Sequence, residues 1–229
     1  MEPLRYPLNL VTDAVPVITL QPATTCLLLV DVHNPFWTGG CVEARARSYG
    51  ILAEFSYYYG QAPVAMAAQA SVLTAARHAN MPVVYACLGY FPPHAPSAFQ
   101  QAMGWRWDLA SACGSFPSSL APVTGEAVFA KPGWNALGCP DLEHLWQKKD
   151  IDTVILAGSL LEYGVRHSAM ALADAGYRCL VLSDATTALS LQGRLHTQNE
   201  LNHGLVKLRY VAEYMLLMER MEQQGQALV

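Results

Sequence analysis

The sequence predicts a single three-layer α/β/α domain around a central, mainly parallel sheet, and three observations carry that expectation. Short apolar runs rich in β-branched residues recur along the chain, with the all-apolar pattern of strands covered on both faces. Helix-periodic segments separate most of them, as parallel pairing requires. Several runs stop on a residue suited to chemistry or to a tight turn, among them Asp31, Lys131 and Gly158, at the strand ends where doubly wound sheets hold ligands.

Taken in order, residues 1–23 carry Pro3, Pro7, Pro16 and Pro22 with little periodicity, and read as an extended arm before a domain over 24–229. Thr25–Asp31 is the first strand, with its acid at the carboxyl end, and Asn34-Pro35 and Gly39-Gly40 turn the chain into a loop. A helical region is predicted over Glu43–Asn80, broken near Gly60–Pro63, with Tyr57, Tyr58 and Tyr59 packing at the break. Pro82–Cys87 is the second strand. Leu88–Thr124 is rich in Pro, Gly and Ser, and so long a connection points to a functional lid.

Ala127–Lys131 is the third strand and Asp141–Lys149 a helix with Pro140 beside its start. Thr153–Ala157 is the fourth strand. Val165, Ala169, Leu172 and Ala173 then give the helix Val165–Ala175 one apolar face. Arg178–Asp184 is the fifth strand; a helix over Thr197–Leu205, an edge strand at Leu208–Ala212 and a helix over Glu213–Gln223 complete the expectation.

Composition narrows the function classes. The 229 residues suffice for one sizeable core, and 52% hydrophobic against 14% charged residues suits a compact enzyme-like domain with subunit interfaces, a homodimer or homotetramer. A net charge of −4 without a Lys/Arg cluster argues against nucleic acid or a membrane surface as partner. The N-terminal residues lack the apolar stretch of a signal peptide. Six scattered cysteines without C-x-x-C spacing predict no disulfide framework and a reducing cytoplasm.

The stretch Gly158-Ser-Leu-Leu-Glu-Tyr-Gly164-Val165, followed by Ser168 and Gly176-Tyr177, is a strand–turn–helix junction with free amides at a positive dipole end, where an oxyanion can be held. These residues resemble the signature of the isochorismatase-like hydrolases, the cysteine hydrolase superfamily. Val30-Asp31-x-x-Asn34-x-Phe36 resembles its first block, Val128–Lys131 with Trp134–Leu137 its second, and Asp184-Ala185-Thr186 a recurring later segment. The resemblance implies a catalytic aspartate at Asp31 and a catalytic lysine at Lys131. It implies a cis Ser159–Leu160 bond and, in most members, a nucleophilic cysteine where this chain has Gly164.

In the amidase branch, the cysteine attacks a carbonyl while the aspartate takes its proton. Glycine at 164 is instead the pattern of the isochorismatases proper, in which an aspartic acid protonates a vinyl ether and water attacks the oxocarbenium. The resemblance therefore implies an Asp/Lys acid–base hydrolase acting without a covalent nucleophile on a small cyclic or aromatic substrate, Gly164 lending space for substrate or water. A catalytically silent binding protein and an amidohydrolase with its cysteine replaced are the alternatives. The Gln- and Arg-bearing carboxylate grip of isochorismatases is missing: Cys87–His94 holds no arginine before Arg106, so a dianionic ring is poorly served.

His33 stands where it can orient Asp31 or a substrate group. Phe36, Trp37, Tyr90, Trp105, Trp134, Ser159, Leu160 and Tyr163 complete the predicted substrate-binding set, and Trp107 and Phe91 belong to the same aromatic supply. Arg166 reaches either an anionic ligand or a surface partner. Ser159, Ser168 and Cys41 are the nearby substitute nucleophiles, Cys41 only if Arg45 and Arg47 fold inward beside it. No metal and no cofactor are expected: His94 has no adjacent acid, unlike the Asp-x-His ligand set of the nicotinamidases.

Overall fold

The computed structural model describes residues 20–37, 39–201 and 206–226, with side chains of the last helix described as far as Glu219; most of the expected N-terminal arm lies outside these residues. Six strands form one parallel sheet: β1 (Thr25–Val30), β2 (Val83–Leu88), β3 (Ala127–Lys131), β4 (Thr153–Gly158), β5 (Arg178–Thr186) and β6 (Val206–Arg209), in the order β3-β2-β1-β4-β5-β6. Every residue of β1, β2 and β4 is buried, which explains why they read as continuous apolar runs rather than alternating ones.

Helices cover both faces. Odd positions of β1 (Leu27, Leu29) pack with Val72, Leu73 and Ala76 of α2 (Ser56–His78) and with Tyr214 and Met218 of α7 (Val211–Gln226). Even positions (Cys26, Leu28, Val30) pack with Leu142 and Trp146 of α4 (Pro140–Lys148), Ala169 and Leu172 of α5 (Arg166–Asp174), and Leu201 of α6 (Leu191–Leu201). The period of two along a strand thus assigns each helix to a layer.

The expected break near Gly60–Pro63 is not there. The chain instead bends at Tyr49–Ile51, after α1 (Cys41–Ser48), where Gly50 has φ +69°, and α2 runs unbroken through Pro63. Proline inside a helix costs about 3 kcal/mol. Burying Val72 and Leu73, both fully inaccessible, offsets it at roughly 1.5–3 kcal/mol each. The connection after β2 contains a helix, α3 (Ala98–Met103), closed by a Ser97/Gln100 capping box and by Gly104 at φ +67°. α6 begins at Leu191 rather than Thr197, and a π-helical turn over Leu161–Val165 precedes α5.

Candidate active site

The chain leaves β1 for β2 on one side and β4 for β5 on the other, so the crevice between the carboxyl ends of β1 and β4 is the topological switch point of the sheet. Asp31 is the first residue past β1. Its φ of +51° is left-handed, a conformation costing roughly 1–2 kcal/mol for an L-residue. Three contacts hold it there. The Asp31 amide donates to Ala86 O (3.0 Å), Oδ1 accepts from the Leu88 amide (2.6 Å), and Oδ2 lies 2.7 Å from Lys131 Nζ at the end of β3. The ammonium also donates to Gly133 O (3.1 Å) and Trp134 O (3.4 Å).

Both members of the pair are completely inaccessible to solvent. Burial pushes the Asp31 carboxyl above the ordinary carboxylate range, against the downward pull of the Lys131 ammonium and the Leu88 amide. His33, also fully buried, is held neutral: burial first and the Lys131 charge second lower its pKa to about 3. Its Nε2 is 3.2 Å from Leu88 O, which can only accept, so Nε2 carries the proton and Nδ1 is a bare acceptor with no partner among the described residues. One residue, Leu88, thereby links the aspartate through its N–H and the histidine through its C=O.

Gly164 faces this pair at close range. A Cβ built there would stand 2.8 Å from Asp31 Oδ2 and 3.0 Å from both Ser159 O and Val30 Cγ1. The expected free space at Gly164 is therefore not present; the carboxylate of Asp31 fills it. The Ser159–Leu160 bond is cis. Several amides of the turn are already engaged: Leu161 donates to Thr187 O (2.8 Å), and Tyr163 and Val165 donate to Leu160 O (both 3.1 Å). Those three are not available to an oxyanion, which narrows the expected cradle.

A cavity of about 380 Å³ opens above. Phe36, Tyr58 and Leu160 form its floor and, together with Trp107 above them, pack with Leu88, the residue whose amide holds Asp31. Trp105, Trp134 and Tyr163 form one wall; Trp105 stacks on Trp107 with centroids 5.4 Å apart, and Trp134 meets Trp105 edge-on at 5.0 Å. Cys41, Val42, Arg45 and Ala46, successive turns of α1, form the facing wall.

Comparisons with known proteins place this fold in a family. An isochorismatase domain is matched over residues 25–213. The chain belongs to the isochorismatase family. It is 26% identical over 97 residues to the isochorismatase family protein YecD of Escherichia coli O157:H7, covering 42% of this chain and about half (52%) of that relative's length. It is 24% identical over 192 residues to the ureidoacrylate amidohydrolase RutB of Methylobacterium radiotolerans, covering 74% and 69% of the two chains. A cysteine hydrolase from Pseudomonas syringae pv. phaseolicola superposes with TM-score 0.73 at 17% identity, over 91% of this chain and 99% of that one. At such identity the last likeness speaks for the fold.

Within this family frame the structure sorts the predicted residues. Asp31, Lys131 and Gly164 meet at one point, with His33 and Ser159 buried beside them, and Phe36, Trp105, Trp134, Leu160 and Tyr163 line the cavity. Two expectations are corrected. Trp37 is core: its indole donates to Val32 O (2.8 Å) and packs in the layer under α2. Tyr90 lines a separate cavity of about 390 Å³ together with His94, its segment bridging to Asp108.

The substitute nucleophiles are all otherwise occupied. Ser168 Oγ accepts from the Ala136 amide (3.0 Å) and donates to Gly164 O (2.7 Å), and Ser159 Oγ accepts from Thr187 Oγ1 (3.0 Å). Cys41 is disulfide-bonded to Cys113, 72 residues on, contrary to the expectation of unpaired cysteines. No local spacing announced that bond; it forms because the 112–114 turn returns against α1. Disulfides persist in oxidising surroundings, so the cysteine pattern no longer supports a cytoplasmic location.

Arg166 is a surface residue paired with Glu200 (2.9 Å). Among the described residues, no cluster of three or more His, Cys, Asp or Glu is arranged to hold a metal, and no helix is long and apolar enough to cross a membrane. The α1 wall, Tyr58 and Leu189 were missed as cavity residues. The i, i+4 spacing of Cys41 with Arg45 and of Val42 with Ala46 was the signal available for α1.

Proposed function

We propose that this isochorismatase-family chain is a hydrolase that works without a covalent nucleophile, with Asp31 as general acid. The observation that carries the reading is the placement of Asp31 Oδ2, 2.8 Å from where a side chain at 164 would begin. The acid itself occupies the place of the family's nucleophile. Its raised pKa favours the protonated form needed at the start of the cycle, and the Lys131 ammonium at 2.7 Å and the Leu88 amide stabilise the carboxylate left after transfer. Proton delivery to a vinyl-ether carbon generates an oxocarbenium; water adds to it, the proton released from that water restores Asp31, and the resulting hemiketal collapses to a carbonyl compound as its C–O bond breaks and the alcohol leaves.

Because Asp31 is closed off beneath the cavity floor, substrate entry requires displacement of floor side chains such as Leu160 and Phe36. The experiment is a panel of vinyl ethers, amides and esters read by mass spectrometry with wild type and Asp31→Asn. Turnover of a vinyl ether by the wild type, reduced about 10²–10⁴-fold in the variant, supports the reading. A persistent acyl adduct on the protein contradicts it.

A second reading, a binding protein that kept the fold, rests on the full inaccessibility of both Asp31 and Lys131 in this closed arrangement. It predicts saturable binding across the panel with no turnover by either protein.

A further inference from the structure

We infer that the aromatic cavity selects a planar, singly anionic molecule, its ring against the aromatic wall and its anionic group on Arg45. The inference rests on reading this cavity as the substrate site. Its walls are otherwise apolar or aromatic, and Arg45 is the one charged side chain among the residues that line it. The guanidinium spans the mouth from α1 to the end of α3, where Nη1 donates to Gly104 O (2.7 Å), and its carbon lies 5.7 Å from the Tyr49 ring centroid. No carboxylate among the described residues pairs with it, unlike Arg47 on Glu43 and Arg77 on Glu126. An arginine without a counter-charge at the rim of an apolar cavity is a receptor for a carboxylate or sulfonate.

The ring's place follows from the walls. Trp105 and Trp107 stack on each other almost parallel (7° between planes), and Trp134 and Phe36 meet them at steep angles, so the rings form one continuous aromatic wall against which a flat ring can lie. A dianion would leave its second charge against Trp and Leu side chains with no partner, at a desolvation cost that excludes it. A cation would gain from the ring faces but be repelled by Arg45. The disulfide between Cys41 and Cys113 fixes α1, and with it Arg45, against the segment bearing the tryptophans, so the distance from ring site to charge is set by a covalent link.

Titration of tryptophan fluorescence with three probes of one shape tests this: 2-naphthoate, neutral 2-naphthamide and cationic 2-naphthyltrimethylammonium. The naphthoate is expected to bind about tenfold more tightly than the amide, a preference that Arg45→Gln removes and Arg45→Lys partly retains. Trp105→Ala should weaken all three. The probes are read by binding alone and none of them is a vinyl ether, so loss of the catalytic reading and loss of this one are separable. Equal binding of acid and amide to the wild type, tightest binding of the cation, no saturable binding of any probe, or an undiminished preference in Arg45→Gln would each overturn the inference.

Discussion

The floor and the roof of this site are built by different means. The floor is a property of the sheet: Asp31 and Lys131 end β1 and β3, and β2 between them supplies the Leu88 amide, so strand register alone brings the pair to 2.7 Å. The roof is a property of connections: α1 and the 98–115 segment are far apart in sequence and are joined by one disulfide, the Arg45–Gly104 contact and packing between rings. In the proposed reading, the acid–base pair sits on rigid strands and recognition on connections, which tolerate variation more readily.

That contrast can be broken at either end, and the largest effect is expected in the floor. Lys131→Met leaves a buried carboxylate without its partner and should cost about 3–5 kcal/mol at neutral pH. The sign of the pH dependence follows from linkage. With the Asp31 pKa raised in the folded state, the folded protein binds more protons than the unfolded chain above the ordinary carboxyl range, so stability falls as pH rises through that window. Removing the ammonium raises the folded pKa further. Urea unfolding should therefore show the deficit of Lys131→Met shrinking as pH is lowered toward the ordinary carboxyl pKa; a pH-independent deficit would deny the pair its electrostatic role.

In the roof, Cys41→Ser with Cys113→Ser opens a link across 72 residues and should lower stability by about 2–4 kcal/mol. Its sharper signature is positional: acrylamide should quench Trp105 and Trp107 more readily while the Asp31–Lys131 pair stays intact. Unchanged quenching would mean that ring packing alone holds the roof.

A smaller effect is expected at their junction. Gly164→Ala introduces a Cβ 2.8 Å from Asp31 Oδ2, where the carboxylate is pinned by Leu88 and Lys131, and should cost about 1–3 kcal/mol by overpacking. Gly164→Cys meets the same atoms and is expected to displace Asp31 rather than regain an amidase. A Gly164→Ala protein as stable as the wild type would show that the Asp31 carboxylate is free to move aside at this junction.

The same division governs what the sequence could reveal. Strand ends were readable because each apolar run stops at its first polar residue, Asp31 after the fully buried β1 and Lys131 at the end of the partly buried edge strand β3. The switch-point position of Asp31 followed from strand–helix alternation and the family resemblance. The roof was readable only in part: Trp105, Trp134 and Tyr163 were expected at the site, but not how the connections close over it. The Cys41–Cys113 bond depends on where a long connection returns, and Trp37 and Tyr90 resemble Trp134 and Tyr163 in type while facing elsewhere. Local propensity also misled at Pro63, where burial of the α2 face outweighs the proline.

The central claim, an acid in the place of a nucleophile, is tested most directly by a pH–rate profile of a turned-over substrate before and after thiol alkylation. The account predicts a rate that falls as pH rises through the elevated Asp31 pKa, because the acid must enter the cycle protonated. It also predicts a profile unchanged by alkylation, since the four free cysteines are buried and stand outside the reaction. Loss of turnover on alkylation, with Asp31→Asn retaining wild-type rate and profile, would contradict it.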